Sequence, residues 1–146
     1  MEASIERLEF LCKKIPQLLG GIEESSFSLK LNPEKWSKKQ IIGHLIDSAT
    51  NNHHRFVRGQ FETIPTIVYN QVEWNKNNYY QQMKSSQIID FWSAYNKQIL
   101  ELIKQIPKEK LNYKVNTGGD NSATIQFLFN DYVEHLEHHL KQVVSY

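Results

Sequence analysis

The sequence predicts an all-α protein in which four long helices form a four-helix bundle. Four segments repeat apolar residues at steps of three and four, which is the spacing of one helix face. No segment shows the convincing alternation of apolar and polar residues that a half-buried strand has. The 146 residues are 40% apolar without glycine, and a chain of this length can bury a core without disulfides. Helices packed through their apolar faces are the fold class that these observations favour.

The first predicted helix spans residues 5 to 19. Its apolar face consists of Ile5, Leu8, Cys12, Ile15 and Leu19. Pro16 interrupts the pattern, so we expect a kink or an early end there, and Gly20-Gly21 closes the helix. Residues 25 to 33 contain turn formers without a period, which predicts a loop.

The second predicted helix begins at about residue 38. Ser37 and Gln40 have the spacing of a capping box, in which each side chain bonds the backbone near the other. Gly59 and Pro65 are the first helix breakers downstream, so the helix is expected to end near Phe61. Residues 62 to 84 are polar and dotted with aromatic residues. They predict a long connection with one short helix, which crosses one end of the bundle or covers a site.

The third predicted helix begins at a Ser85-Ser86 cap and ends before Pro107. Its apolar face consists of Ile88, Ile89, Trp92, Tyr95, Ile99, Leu102, Ile103 and Ile106. Residues 108 to 121 end in a Gly-Gly-Asp-Asn turn signal. Ser122 or Thr124 opens the last helix, whose inward face consists of Ile125, Leu128, Tyr132, His135, Leu136, His139 and Val143.

The charge balance argues against general nucleic-acid binding, and the distribution of apolar residues argues against a membrane span. With 17 basic and 16 acidic residues the formal net charge is +1, so no uniform basic field attracts nucleic acid. No apolar run approaches the length of a membrane helix, and the first residues do not resemble a signal peptide. The single Cys12 cannot form an internal disulfide, which fits a reducing compartment. We therefore expect a cytoplasmic protein without general nucleic-acid binding and without a membrane partner.

The six histidines fall into two clusters, one on the second helix and one on the fourth. His135 and His139 lie about 40° apart on one helix face and point inward, whereas His138 lies toward the edge of that face. His44 faces the core from the second helix, and His53, about 180° away, is expected to face water.

Three inward imidazoles on two helices can bind a divalent transition metal and leave one position open for water or substrate. The alternative is that they are ordinary buried polar groups, or that one of them faces solvent. The sequence is not a zincin, because Leu136 stands where that motif requires glutamate.

A second inward set on the second helix is polar. It consists of His44, Asp47, Ser48, Asn51 and Arg55. Asp47 could orient a histidine or accept a proton, and Arg55 could hold an anionic group. Alternatively, these residues form a buried network that only fixes the helix register, or they form a face turned to solvent.

Two segments resemble a known family. Trp36-Ser37 followed by Gly43-His44-Leu45-Ile46-Asp47, and His135-Leu136-Glu137-His138-His139 near the end, are similar to motifs of the DinB-like superfamily, especially its DinB_2 or YfiT-like branch. The resemblance covers nearly the whole chain and implies a single four-helix-bundle domain over residues 1–146. It also implies a nickel or zinc ion on His44, His135 and His139, with His138 outside the ligand set, and a homodimer.

The resemblance implies two kinds of chemistry on a small-molecule substrate. Some relatives look like metal-dependent hydrolases, and others are transferases that attach a low-molecular-weight thiol such as bacillithiol to an electrophile. In the first case Asp47 or Asp131 is the candidate base. In the second, Arg55, Tyr132 or Gln142 would help to hold the thiol cofactor. The competing class is a non-catalytic, stress-related bundle that acts as a binding or interaction protein, with a structural metal or none.

Overall fold

The computed structural model describes residues 1–146 and consists mostly of helices. The four long helices are α1 (Glu2–Gly20), α3 (Lys38–Arg58), α5 (Ser85–Gln105) and α6 (Ile125–Leu140). The shorter elements are α2 (Glu24–Ser28), α4 (Gln71–Asn77), the 3-10 turns Tyr80–Gln82 and Lys108–Asn112, and the strands β1 (Lys114–Gly118) and β2 (Asn121–Thr124). The prediction of an all-α four-helix bundle is confirmed.

The long helices surround one core of 29 buried apolar residues. Helix α1 packs against α5 and α6, and α3 packs against the same two helices. The first two long helices, α1 and α3, therefore lie diagonally across the bundle. Ser4 contacts Asn130 and Arg7 contacts Glu137, so α1 and α6 run in the same direction. The bundle therefore differs from the simple up-and-down arrangement.

Helices α3 and α5 are also parallel, because both begin at the same end of the bundle. The Lys39 ammonium near the start of α3 donates to Glu24, which in turn accepts the backbone N–H of Ser85 at the start of α5. A helix of 21 residues is about 30 Å long, so the chain must return that distance between the two helices. The connection of residues 62–84 does so by running back along α3 rather than by crossing the bundle end.

The helix ends agree in part with the predictions. The capping box of Ser37 and Gln40 is present, and Thr124 caps α6 by accepting the N–H of Phe127. The expected Ser85-Ser86 cap is wrong, because no serine side chain caps α5 and Glu24 fills that role from another helix. Pro16 lies within α1 and does not end it early.

Two short elements differ from the sequence prediction. The helical turn α2 overlaps the loop predicted at residues 25 to 33, and the connection contains α4 and a 3-10 turn. The turn predicted at residues 117–121 joins β1 and β2 into an antiparallel hairpin. These strands have five and four residues with few apolar positions, which is too short for a visible alternation. None of the helices is long and apolar enough to span a bilayer.

Candidate metal centre

Three histidines from two antiparallel helices converge at one end of the bundle. His44 lies in the first third of α3, and His135 and His139 lie one turn apart near the end of α6. Antiparallel packing brings the start of α3 beside the end of α6, so that one ligand atom from each ring lies within 4.8 Å of the others. His44 is 1% exposed, and the other two are half-buried.

The distances within the cluster fit a shared ion. The Nε2 atoms of His44 and His135 are 3.1 Å apart. Nitrogens at 2.0–2.1 Å from one zinc ion and 3.1 Å from each other subtend an angle of about 100°, close to tetrahedral. A hydrogen bond in which one neutral imidazole donates its N–H to the other would give the same distance. The Nδ1 atoms of His44 and His139 are buried with no hydrogen-bond partner, which is unusual for buried polar groups.

The surroundings keep these imidazoles neutral. Burial lowers the pKa of His44 to about 3, helped by the neighbouring rings of His135 and His139. Burial and the same kind of repulsion lower the pKa of His139 to about 4. The pKa of His135 is also lowered by burial, although Asp131, one turn earlier, opposes the shift. Neutral imidazoles carry the free lone pair that a metal ion requires.

Asp47 lies one turn after His44 and is 1% exposed. Its Oδ1 accepts hydrogen bonds from the Tyr80 hydroxyl at 2.6 Å and from the Asn78 amide at 2.8 Å, whereas Oδ2 is buried without a partner. Burial raises the pKa of Asp47 to about 6, and the two hydrogen bonds limit the rise. The predicted acid or base candidate is thus a fixed carboxyl group with one unused oxygen.

Arg55 and Asp131 are close to each other but face a different cavity. The half-buried Arg55 guanidinium donates to the Ile67 carbonyl at 3.1 Å and to Asn52 at 3.3 Å. Asp131 is exposed. Both line a cavity of ≈ 630 Å³ beside the β-hairpin. Asp131 therefore affects the cluster only through its charge, which opposes the lowering of the pKa of His135. Arg55 lies three turns along α3 from His44.

The two candidate cofactor-binding residues lie in different environments. Tyr132 is 1% exposed, and its hydroxyl donates to Asn96 inside the core at 2.6 Å, so that hydroxyl is already used within the bundle. Gln142 is exposed and lines a cavity of ≈ 860 Å³ together with His139. The structure brings Gln142 and not Tyr132 to the cavity that His139 lines.

The remaining histidines lie outside the cluster. His138 is exposed, with its ring centroid 5.2 Å from that of His139. The expectation that His53 faces water is wrong, because it is half-buried and its Nδ1 lies 3.0 Å from the Tyr95 hydroxyl. Cys12 is buried, and burial raises the pKa of its thiol to about 11, as expected of a core residue.

Sequence reasoning missed two contacts that shape the site, those of Asn78 and Tyr80 with Asp47. Asn78 and Tyr80 come from the connection and hold Asp47, and the Tyr80 ring packs on Gly43. The available signal was Gly43 itself, since a glycine inside a long helix often marks a close approach by another group.

Comparisons with known proteins agree with this description. Among solved structures, YfiT from Bacillus subtilis, described as a probable metal-dependent hydrolase with an unusual four-helix bundle topology, is 19% identical and superposes with a TM-score of 0.87 over 97% of this chain and 82% of its own. A mycothiol-dependent maleylpyruvate isomerase is 10% identical, with a TM-score of 0.81 over 99% of this chain, which spans 60% of the isomerase. A histidine-to-alanine variant of that isomerase superposes with a TM-score of 0.80.

At such low identity, the superpositions establish a shared fold. No curated protein sequence matches the chain. The family model described as the DinB superfamily matches residues 7–143, nearly the full length. The chain therefore belongs to the DinB superfamily.

Proposed function

We propose that the protein is a divalent-metal-dependent enzyme acting on a small molecule, with the ion held by His44, His135 and His139. The observation that carries the proposal is the convergence of three neutral imidazoles, all within 4.8 Å, beside a cavity. Three protein ligands leave a coordination position open, as in catalytic rather than structural sites. Imidazole ligands suit nickel and zinc.

A divalent ion on three imidazoles lowers the pKa of a coordinated water, or of a thiol, and so supplies a nucleophile at neutral pH. The residues of this chain then have separate tasks. Tyr80 and Asn78 fix one oxygen of Asp47 and leave the other free to accept or return a proton. Trp36, whose ring centroid lies 5.0 Å from that of His44, covers one side of the imidazole.

Two reaction classes follow from one activated nucleophile. Hydrolysis is favoured by the likeness to YfiT, whose match covers 97% of this chain and 82% of YfiT. Transfer of a low-molecular-weight thiol is favoured by the likeness to the mycothiol-dependent isomerase. In the second case Gln142, which lines the cavity beside His139, is the best-placed residue to hold the cofactor.

Metal analysis of protein purified without a histidine tag tests the proposal. We expect close to one nickel or zinc ion per chain in the wild-type protein and a large loss in His44→Ala and His139→Ala. His54→Ala is the matched control, because His54 lies on the same helix but is exposed. Absence of metal after metal-replete growth would support the non-catalytic bundle instead.

A second measurement separates the two reactions. Bacillithiol or mycothiol added to nickel-loaded protein should change the metal absorption spectrum if the thiol becomes a ligand. Hydrolysis without a cofactor predicts no such change and predicts cleavage of ester or amide substrates. The homodimer and the cytoplasmic location stay predictions, and sedimentation of the purified protein tests the first.

A further inference from the structure

The ≈ 860 Å³ cavity at His139 has walls from four separate parts of the chain. The segment after α2 supplies one wall, the start of α3 a second, the start of α4 a third, and the end of α6 a fourth. The fourth wall consists of His139 near the end of α6 and Gln142 just after the helix. Because one of the three clustered imidazoles lines it, a molecule in this cavity can reach the metal centre.

The walls of the cavity include strongly exposed apolar side chains. Leu29 is 57% exposed, Leu31 is 89% exposed and Val72 is 55% exposed, and all three line this one cavity. The half-buried Trp36 and Ile41 extend the same surface inward. Apolar residues from distant parts of a chain gathered around one concavity, with a few polar groups, are typical of a small-molecule site.

The charged residues of the cavity favour an anion. Lys35 and Lys38 line the wall, and neither forms an ion pair, whereas Glu34 is the only carboxylate. Lys38 is half-buried at the first position of α3. His44 follows six residues later, about 9 Å along the helix axis. Lys38 and His139 line the same cavity, so one bound molecule can face both a cationic group and one of the clustered imidazoles.

We propose that this cavity binds the substrate and that the substrate is an amphipathic anion. Its aliphatic or aromatic body packs on Leu29, Leu31 and Val72, its acidic group lies at Lys38, and its reacting atom is directed to His139. This assignment rests on the proposed function for its catalytic meaning, but the binding itself depends on the walls alone and can be measured without metal.

The first test uses octanoate as the probe and metal-free, full-length protein, so that the carboxylate cannot bind an ion. We expect saturable binding, measured by calorimetry and by Trp fluorescence, and weaker binding of acetate and of octylammonium. The Val72→Asp change should weaken octanoate binding at least about tenfold, because it removes apolar contact and repels the anion. Val68→Asp is the matched control, since Val68 is 57% exposed and lines a different surface.

A second pair of variants tests the anion contact. Lys38→Gln should weaken octanoate severalfold and leave binding of neutral octanol unchanged, whereas Lys97→Gln, on the exposed side of α5, should alter neither. Equal effects of the Val72 and Val68 variants, or octylammonium binding as tightly as octanoate, would overturn the assignment. Dissociation of a wild-type dimer by the Val72→Asp change would also overturn the assignment, because the apolar surface would then be the contact with a second copy of the chain.

The metal content of the same samples separates the two proposals. Octanoate binding by a protein that takes up no metal supports the cavity and contradicts the metal centre. A metal-loaded protein whose metal-free form binds no octanoate contradicts the cavity assignment and leaves the metal centre intact.

Discussion

Gly43 carries no side chain because the Tyr80 ring occupies that space. A Cβ atom at this position would lie 2.2 Å from Cδ2 of Tyr80, which no real contact allows. The close approach lets the Tyr80 hydroxyl reach Asp47 one turn further along α3. A glycine in a helix interior costs roughly 1 kcal/mol relative to alanine, so its presence here indicates that the ring contact matters.

Gly43→Ala should therefore destabilise the protein, although alanine is the better helix former. The methyl group forces the Tyr80 ring away, and overpacking of this kind costs about 1–3 kcal/mol of unfolding free energy. Urea unfolding measures the loss. Gly20→Ala is the control, because nothing lies within 4 Å of a Cβ at that position in α1. A Gly43 variant as stable as the Gly20 variant would contradict the contact.

Asp47 should make the stability of the metal-free protein depend on pH. Burial raises its pKa from 3.8 to about 6, so the folded chain keeps this proton longer than the unfolded chain does. The protonated carboxyl group contributes fully to the free energy of unfolding below about pH 4. This contribution, roughly 1–3 kcal/mol, is lost as pH rises through about 6.

The Asp47→Asn variant isolates this effect, because it keeps the oxygen that Tyr80 and Asn78 bond and cannot ionise. Its unfolding free energy relative to wild type should increase as pH rises from 4 to 7. The histidines titrate in both proteins and cancel in the difference. A difference that does not change with pH would show that Asp47 ionises normally.

The sequence predicts the inward positions of the three histidines better than it predicts the residues that hold Asp47 beside them. His44, His135 and His139 follow from helix periodicity, because residues on one helix have fixed relative directions. Asn78 and Tyr80 come from a connection without a period, so their contact with Asp47 depends on the path of the backbone. That path includes a left-handed residue, Tyr79, with φ of 56°, which no propensity rule assigns to tyrosine.

At the scale of the element, Glu24 joins three segments. Its carboxylate accepts hydrogen bonds from the buried Lys39 ammonium and from the Ser85 backbone N–H, so it caps α5 from α2. Sequence reasoning favoured a local serine cap, because rules for caps consider only residues near the helix end. A cap supplied by another helix has no local signal.

Glu24→Gln should destabilise the protein and make it less sensitive to acid. These partners lower the pKa of Glu24 to about 2, so its stabilising effect is present above its ordinary pKa of 4.5 and is lost as pH falls toward 2. The variant also leaves the Lys39 charge buried without a carboxylate. Thermal unfolding between pH 2 and 7 measures both effects.

Glu23→Gln is the matched control, because Glu23 is exposed and forms no ion pair. Lys39→Met should restore part of the stability that Glu24→Gln loses, since it removes the unpaired buried charge. Equal acid sensitivity of the two glutamine variants would contradict the role of Glu24.

At the scale of the whole molecule, the length of the middle connection is a consequence of topology. Parallel α3 and α5 require the chain to return along the bundle, and the returning segment carries the residues that hold Asp47. The sequence predicts four helices and a connection too long for tight turns. It does not predict which helices are neighbours, because each amphipathic face fits several partners equally well.

Metal binding should couple the two helices that supply the histidines to the stability of the whole bundle. An ion that binds the folded chain only raises the unfolding free energy by RT ln(1 + [L]/Kd), about 2.7 kcal/mol at a free metal concentration of about 100 Kd. Nickel should therefore raise the unfolding temperature of the wild-type protein and of His54→Ala, and a chelator should reverse the shift. His139→Ala and His139→Gln should show little shift, with circular dichroism confirming that they fold. An equal shift in these variants would place the binding at exposed histidines such as His138 and would contradict a site that joins α3 to α6.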